Sequence, residues 1–267
     1  MVKIIVAGAA GRMGKRIINL IQQDQGTELA GAFEHPKHPL VGEDAGVAAG
    51  IGLSGIKITS SLEEVIKKGQ VLIDFTLPQA TLANICKATP HGLSMVIGTT
   101  GLTADNIKEI KNLSKSISCV LAPNMSVGVN VMFKIVKEMA HLLGQNYDME
   151  IMEAHHRLKQ DAPSGTAIRL AQIIADATGR NLDKSGVYCR KGIIGERTAD
   201  EIGIQTMRAG DITGEHTVMF GGTGERLELI HRAHNRDNFA RGAIRAALWV
   251  VKRPKGLYDM QDVLGIK

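Results

Sequence analysis

The sequence predicts a two-domain α/β protein, in which a doubly wound parallel sheet precedes a second, α+β domain carrying a mixed sheet. In the first half, short apolar runs alternate with amphipathic helical stretches, a pattern typical of parallel strands joined by crossover helices. A glycine-rich turn, Gly8–Gly14, joins the first predicted strand to the first predicted helix. After Pro123, strand-like runs follow one another closely across Gly-rich turns, which favours antiparallel or mixed pairing.

The elements of the first half follow from hydrophobic periodicity. Strands are predicted at Val2–Ala7, Thr27–Phe33, Val71–Phe75, Met95–Ile97 and Cys119–Ala122. Helices are predicted at Gly11–Gln23, Leu62–Lys68 and Ala104–Leu113, with another beginning at Pro78. Ser61 and Glu64 have the spacing of a capping box, and proline is favoured at the first position of a helix.

The second half is predicted to combine helices with closely spaced strands. The helices are Val131–Leu143, Ala167–Ala177 and Phe239–Lys252, and the strands are Met149–Ala154, Gln205–Ala209, Thr217–Phe220 and Glu225–Ala233. We therefore expect a first domain at residues 1–126, completed by the C-terminal segment 236–267, and a second domain at 127–235. The last helix is expected to return to the first domain.

The charge pattern argues against a nucleic-acid binder. The net charge is +5, but the 32 Lys and Arg residues are interleaved with 27 Asp and Glu residues. Trp249 is the single tryptophan, and three Tyr and five Phe residues leave little for base stacking. A mildly basic balance suits an anionic small-molecule substrate and an anionic cofactor.

Cysteine usage and the N-terminal residues indicate a cytoplasmic protein. The three cysteines, Cys86, Cys119 and Cys189, are odd in number and widely spaced, which argues against a disulfide framework or a zinc knuckle. The apolar run at the start is too short and too rich in glycine for a signal sequence or a membrane span. We expect no membrane association.

The turn Gly8-Ala9-Ala10-Gly11-Arg12-Met13-Gly14 has the form of a dinucleotide-binding loop. Its glycines permit a tight turn, close approach of the backbone to a pyrophosphate, and packing of the helix on the strand. The helix N-terminus then offers N–H groups and a positive dipole end to the phosphates. The loop thus predicts that the first domain is a Rossmann-type domain.

Glu34 lies at the end of the second predicted strand, about 20 residues after the loop, where an acid accepts from the ribose hydroxyls. Such a carboxylate favours NADH, but His35, Lys37 and His38 follow it and offer positive charge to a 2′-phosphate. We expect NADH and NADPH both to be used. A structural turn followed by a surface glutamate is the alternative interpretation.

The densest polar segment, Glu153–Thr166, predicts the site of chemistry. His155, His156 and Lys159 supply a proton donor and positive charge, and Pro163–Thr166 resembles a helix N-terminus that binds a carboxylate. This combination suits reduction of a C=C or C=N compound bearing carboxylates. Metal binding and a solvated loop are the alternatives. Adjacent histidines diverge and no third ligand has motif spacing, so we expect no metal.

The sequence resembles the 4-hydroxy-tetrahydrodipicolinate reductase family, also called dihydrodipicolinate reductase, of bacterial lysine and diaminopimelate biosynthesis. The resemblance covers nearly the whole chain. It is carried by Gly8–Gly14, Asp74-Phe75-Thr76, Gly98-Thr99-Thr100-Gly101, Ala122–Asn130, Glu153–Thr166 and Gly210–His216. The run His155-His156-Arg157-Leu158-Lys159, followed by Asp161–Thr166, is the most specific of these segments.

The resemblance implies a role for each matching residue and a dicarboxylate imine as substrate. His155 matches the catalytic acid and Lys159 a second proton donor. The substrate contacts implied are His156, Lys159, Gly165 and Thr166. The cofactor contacts implied are Gly8, Ala9, Ala10, Gly11, Arg12, Met13, Glu34, Gly98, Thr99, Thr100, Ala122, Pro123, Asn124 and Met125. The family further implies a homotetramer built through the second domain, which would bind substrate and mediate oligomerisation.

Two residues depart from some members of the family. Where those members carry arginines suited to a 2′-phosphate, this chain has His35 and Leu77. The choice between NADH and NADPH therefore stays open.

Two other classes of protein are alternatives to this enzyme. A thiol-dependent dehydrogenase needs an activated cysteine beside a base, whereas Cys119 lies in an apolar strand and Cys86 in a helix. A non-catalytic NADH sensor would need the first domain but not the segment Glu153–Thr166.

Overall fold

The computed structural model describes residues 1–266 and divides into two compact units. The first comprises Met1–Val127 with Arg236–Gly265, and the second comprises Gly128–Asn235. These limits fall within one residue of the limits expected at 126 and 235. Lys267, the last residue of the expected C-terminal segment, lies outside the described residues.

The regular elements are as follows. The strands are β1 (Val2–Ala7), β2 (Thr27–Phe33), β3 (Ile58–Thr59), β4 (Val71–Asp74), β5 (Ser94–Ile97), β6 (Ser118–Leu121), β7 (Asp148–His155), β8 (Gly186–Val187), β9 (Ile202–Arg208), β10 (Gly214–Gly222), β11 (Glu225–Ala233) and β12 (Gly256–Tyr258). The helices are α1 (Arg12–Gln23), α2 (Ala45–Ala49), α3 (Pro78–Ala88), α4 (Ala104–Leu113), α5 (Val127–Leu143), α6 (Gly165–Thr178), α7 (Leu182–Ser185), α8 (Asp237–Val250) and α9 (Met260–Leu264).

The first unit contains the predicted parallel sheet, in the order β12-β6-β5-β4-β1-β2-β3. Its central strands read as continuous apolar runs because helices cover both faces of the sheet. α1 buries Ile17, Ile18 and Ile21 in one of the two cores of this unit. α8 belongs to the same core, and a bidentate ion pair between Arg16 and Asp237 joins it to α1.

The second unit contains the predicted mixed sheet, in the order β11-β10-β7-β9-β8. β7 pairs antiparallel with β10 and parallel with β9. Along β7 the residues alternate, so that Met149, Ile151 and Glu153 are buried on the face that packs with α5 and α6, while Met152 is exposed on the other face. The alternation places the polar end of β7 at the border of this core.

The structure corrects three details of the predicted elements. Leu62–Lys68 is not an α-helix but two 3₁₀ turns, Leu62–Glu64 and Ile66–Lys68. The capping box predicted at Ser61 and Glu64 is absent from them, because the Glu64 carboxylate accepts from the Ser60 amide and from both serine hydroxyls. The short strands β3, β8 and β12 were not predicted, since two or three residues carry no periodicity.

Within residues 1–266, no helix combines the length and apolar character needed to cross a bilayer.

Candidate active site

The predicted nucleotide contacts in the first unit lie at one edge of the parallel sheet. They follow β1, β2, β5 and β6, whose carboxyl ends meet there. Backbone hydrogen bonds join neighbouring loops, from Ala9 N to Phe33 O and from Ala122 N to Ile97 O. An edge of this kind is where ligands bind in doubly wound sheets.

The glycines of the loop act through their small size. Gly8 has φ of +62°, a conformation that other residues rarely adopt. A Cβ at Gly14 would lie 2.2 Å from Gly8 O and 2.8 Å from Ala9 Cα, so α1 packs against the loop only because residue 14 is glycine. Gly11 precedes the helix and has no side chain to cover its first amides. The loop therefore fits a dinucleotide pyrophosphate.

Glu34 faces this loop directly. One carboxylate oxygen accepts from Ala10 N at 3.1 Å, and the other accepts from His35 N at 2.9 Å. The side chain thus lies against the turn that would cradle the pyrophosphate, as an acid for the ribose hydroxyls requires.

A buried carboxylate, Asp74, organises the neighbouring strand end. It accepts from Thr76 N, Thr76 Oγ1, Thr81 Oγ1 and Asn84 Nδ2. Thr81 also shares a 2.7 Å hydrogen bond with Thr99, whose side chain is buried. The Thr99 side chain is therefore used internally, and its contact with a nucleotide would be made through its backbone.

Three other predicted cofactor residues have buried side chains. Ala9, Ala122 and Met125 belong to the hydrophobic core of the first unit, with at most 3% exposure. The backbone of Met125 is packed tightly, since a Cβ at Gly242 would lie 1.8 Å from its carbonyl oxygen. Any nucleotide contact from these residues would also be a backbone contact. Thr100 and Pro123, by contrast, are exposed.

In the second unit, the polar segment is organised by Glu153, whose side chain is fully buried. Its two oxygens accept hydrogen bonds from His155 Nδ1 (2.6 Å), Ser164 N (3.0 Å), Thr206 Oγ1 (3.2 Å), Arg208 Nη1 (2.9 Å) and Arg208 Nη2 (2.9 Å). The strand register brings these groups together, because Glu153 lies opposite Thr206 and His155 opposite Arg208.

These contacts keep Glu153 ionised. Burial raises the pKa of this carboxyl, but the hydrogen bonds from His155, Arg208 and the Ser164 amide together outweigh burial and hold the pKa at about 2. An ionised carboxylate can only accept hydrogen bonds, so Nδ1 of His155 carries a proton. The other ring nitrogen, Nε2, is then the one that can exchange a proton.

His216 lies beside His155 on β10, opposite Glu153 in the register. The two rings meet edge to face, with centroids 5.3 Å apart. Burial, together with the charge of His155, lowers the pKa of His216 to about 3. His216 is therefore neutral at physiological pH. Its Nε2 lies 3.0 Å from Ser164 Oγ.

Ser164 links this cluster to the start of α6. It is the N-cap residue, and its Oγ accepts from Ala167 N. A Cβ placed on Gly165 would meet no atom within 4 Å, so open space lies in front of the first helical residue. The predicted helix N-terminus is thus present and accessible to an anion.

The predicted cation Lys159 lies in the loop between β7 and α6. Its Nζ binds both carboxylate oxygens of Asp161, at 2.7 and 2.8 Å. Backbone hydrogen bonds from Ala209 N to His155 O and from Arg157 N to Gly210 O fasten this loop to the one after β9. Lys159, His155, His156, Gly165 and Thr166 therefore share one segment of the second unit.

Glu153, Arg208 and His216 join this cluster although the sequence alone does not assign any of them a functional role. Glu153 carried one usable signal, an acid two residues before His155 on a strand, which places both on one face. His216 ends the family-like segment Gly210–His216, whereas Arg208 carried no signal, and only the sheet register brings both residues beside β7.

Cys119 and Cys86 do not have the setting of a nucleophile. Burial raises the pKa of Cys119 to about 12, and burial together with Glu109 raises the pKa of Cys86, so neither is an activated thiolate. Among residues 1–266, no group of three or more His, Cys, Asp and Glu side chains is placed to hold a metal ion.

Two family models match the chain, "Dihydrodipicolinate reductase, N-terminus" over residues 2–125 and "Dihydrodipicolinate reductase, C-terminus" over 128–264. Proteins of Syntrophobacter fumaroxidans and Syntrophus aciditrophicus, both named 4-hydroxy-tetrahydrodipicolinate reductase, are 56% and 57% identical over 267 residues, with both chains fully covered.

Solved structures agree with these matches. A dipicolinate-bound dihydrodipicolinate reductase from Paenisporosarcina sp. TG-14 superposes with a TM-score of 0.75, at 25% identity and 98% coverage of each chain. An amine dehydrogenase from Mycobacterium smegmatis, with a TM-score of 0.59 at 13% identity and coverage of 96% and 94%, shares the fold alone. From its fold, its polar segment and these relatives, the chain belongs to the dihydrodipicolinate reductase family.

Proposed function

We propose that this chain reduces 4-hydroxy-tetrahydrodipicolinate to tetrahydrodipicolinate with NADH or NADPH, in the diaminopimelate route to lysine. The observation that carries the proposal is the β7–α6 segment, where His155, Lys159 and an accessible helix N-terminus occur together. The full-length relatives named for this activity support it.

The substrate is a cyclic imine with two carboxylates. After loss of water, its conjugated C=C–C=N system accepts a hydride at carbon and a proton at the imine nitrogen or the adjacent carbon. A bound reduced nicotinamide would supply the hydride. The chain must supply the proton and hold the two anionic groups.

His155 is the proton donor in this proposal, because an imidazole holds and releases a proton near neutral pH. Lys159 and His156 contact one carboxylate, with the substrate replacing Asp161 as the partner of Lys159. Lys159 also helps to polarise the imine. The backbone amides of Gly165 and Thr166, at the start of α6, hold the other carboxylate.

Cofactor choice depends on Glu34 and its neighbours. The carboxylate accepts from a free 2′-OH and repels a 2′-phosphate, which favours NADH. His35 and Lys37 are exposed beside it and provide positive charge for NADPH. We propose that both cofactors are used, with NADH serving at least as well.

The outer face of the mixed sheet supports assembly into a homotetramer. Met152, Met207 and Ile230 are 45%, 59% and 42% exposed, and Thr217 lies between Met152 and Ile230 in the register. These exposed apolar side chains favour a partner surface, and a second copy of the chain is the partner proposed. Light scattering at micromolar concentration tests this, since a particle of about the chain mass, 28.7 kDa, would contradict it. A cytoplasmic location is part of the same proposal.

The experiment that tests the activity follows NADH and NADPH oxidation side by side, with freshly generated 4-hydroxy-tetrahydrodipicolinate. Turnover that survives a thiol alkylator is the expected result. Binding of NADH without turnover would instead identify a sensor, and turnover that is lost on alkylation would identify a thiol enzyme.

A further inference from the structure

The contacts of Glu153 suggest a task beyond holding the strand end together. A buried carboxylate is costly unless every lone pair is used, and Glu153 accepts five hydrogen bonds from four residues. Arg208 supplies two of them in a bidentate pair, which fixes the plane of the carboxylate. The Glu153 oxygen that accepts from His155 is therefore held in a fixed position.

We propose that Glu153 is the positioning residue for the proton donor: held by Arg208 and the Ser164 amide, it keeps a proton on Nδ1 of His155 and leaves Nε2 to deliver the other. This inference rests on the proposed function, in which His155 is the acid. In the step itself, the Nε2–H bond breaks and the proton passes to the reduced substrate. The Nδ1–H bond to Glu153 persists, and the ring becomes neutral.

The surroundings of the ring agree with this division between its two nitrogens. A Cβ at Gly214 would lie 3.0 Å from His155 Nε2, so the glycine at the start of β10 lets the ring pack closely against this strand. The His155 side chain is 12% exposed, enough for a reactant to approach one edge. The T-shaped contact with His216 restricts the tilt of the ring.

The same cluster connects the donor to the proposed carboxylate site. The Ser164 amide donates to Glu153, while its hydroxyl group caps α6. Glu153 thereby fixes both the orientation of His155 and the position of the helix start. Other charged or titratable groups near the His155–His216 pair are Lys159 and His231.

Glu153→Gln removes the charge and keeps the shape of the side chain. The amide of Gln can donate to Nδ1, which favours the neutral tautomer protonated on Nε2, a much weaker acid than the imidazolium. We expect kcat to fall on the order of 10²-fold, with the substrate KM within about threefold of wild type. ¹⁵N NMR of the neutral His155 ring should show the proton moving from Nδ1 to Nε2.

Glu150→Gln is the matched control. Glu150 lies on the same strand and also pairs with arginines, Arg190 and Arg197, but it lies on the opposite face from His155. This variant should keep the wild-type tautomer and kcat. Glu153→Asp, which retains the charge, should keep the proton on Nδ1 of His155. Its kcat should be closer to the wild-type value than that of Glu153→Gln.

A folded Glu153→Gln chain that keeps its proton on Nδ1, or keeps kcat within threefold of wild type, would overturn the proposal. The same kcat and the same His155 tautomer in Glu153→Asp and Glu153→Gln would also overturn the proposal. If Glu153→Gln does not fold, the double variant Glu153→Gln/Arg208→Gln removes both charges together and carries the same expectation. The tautomer measurement needs no substrate, so it decides the role of Glu153 even if the wild-type chain fails to reduce the proposed substrate.

Discussion

The loop Gly8–Gly14 and the segment Glu153–Thr166 both follow a strand and lead into a helix, yet they work by different physics. In the loop, the important property is the absence of side chains: the backbone turns at Gly8 and α1 approaches at Gly14. In the segment, the important property is a set of side chains, with Glu153 receiving hydrogen bonds from strands β7 and β9 and from the Ser164 amide.

The difference determines how each region tolerates change. A steric site such as the loop is sensitive to added atoms and indifferent to pH. An ionic network is sensitive to protonation and to the loss of one partner, because the remaining buried charge is then uncompensated. Four measurements test this distinction.

The largest effect is expected in the segment Glu153–Thr166. His155→Ala should lower kcat on the order of 10²–10⁴-fold with little change in KM, because proton transfer occurs only in the transition state. NADH binding, followed by fluorescence, should survive. The control is His141→Ala, an exposed position on α5, which should leave kcat unchanged. A His155→Ala enzyme that retains more than about half its kcat would show that another group is the acid.

In the loop Gly8–Gly14, the most damaging substitution should be Gly14→Ala. The added Cβ would meet the backbone at 2.2 Å, so α1 must move away from the loop. We expect a loss of about 3 kcal/mol or more in the free energy of unfolding, and weaker nucleotide binding. Gly165→Ala, where a Cβ meets nothing within 4 Å, should change stability by no more than about 0.5 kcal/mol. Equal losses in urea titrations of the two variants would contradict the steric account.

His216 should make the stability of the ionic region depend on pH. Its pKa is about 3 in the folded chain and about 6.5 when unfolded. Between these values the unfolded chain binds the extra proton, so stability is lost as pH falls below 6.5, by about 1.4 kcal/mol per pH unit. Near pH 5 the loss is about 2 kcal/mol, in a range where Glu153, with a pKa of about 2, still contributes fully.

His216→Gln does not titrate and should lack this slope. Urea unfolding of the wild-type and His216→Gln chains at pH 8 and pH 5 measures this slope. The difference in their free energies of unfolding should shift by about 2 kcal/mol in favour of the variant at pH 5. If this difference is the same at both values of pH, then folding does not lower the pKa of His216. The effect of Gly14→Ala should be the same at both values of pH.

The smallest effect concerns Glu34, whose charged side chain contacts the loop Gly8–Gly14. Glu34→Ala should raise the NADH KM about tenfold, and the NADPH KM by less, through loss of a charge-assisted hydrogen bond. Because Glu34 also accepts from Ala10 N, Glu34→Gln serves as the matched variant that keeps an acceptor but not the charge. An unchanged ratio of the two KM values in both variants would exclude Glu34 from cofactor choice.

The sequence by itself determined the parallel and mixed sheets, most strands to within a few residues, and the segments proposed to carry the chemistry. These are local properties: periodicity identifies β1 and α1, and glycine spacing identifies the nucleotide loop. It also placed His155, Lys159 and the start of α6 in one segment, since they are near one another in the chain.

Only the tertiary structure decided which residues meet Glu153. Arg208 is 55 residues away along the chain, and His216 lies 52 residues from Ser164, its hydrogen-bond partner. The pairing of β7 with β9 and β10 brings them together, and a register shift of one residue would turn each side chain to the opposite face. Register is set by the burial of whole strands against α5 and α6, so no single segment of the sequence contains it.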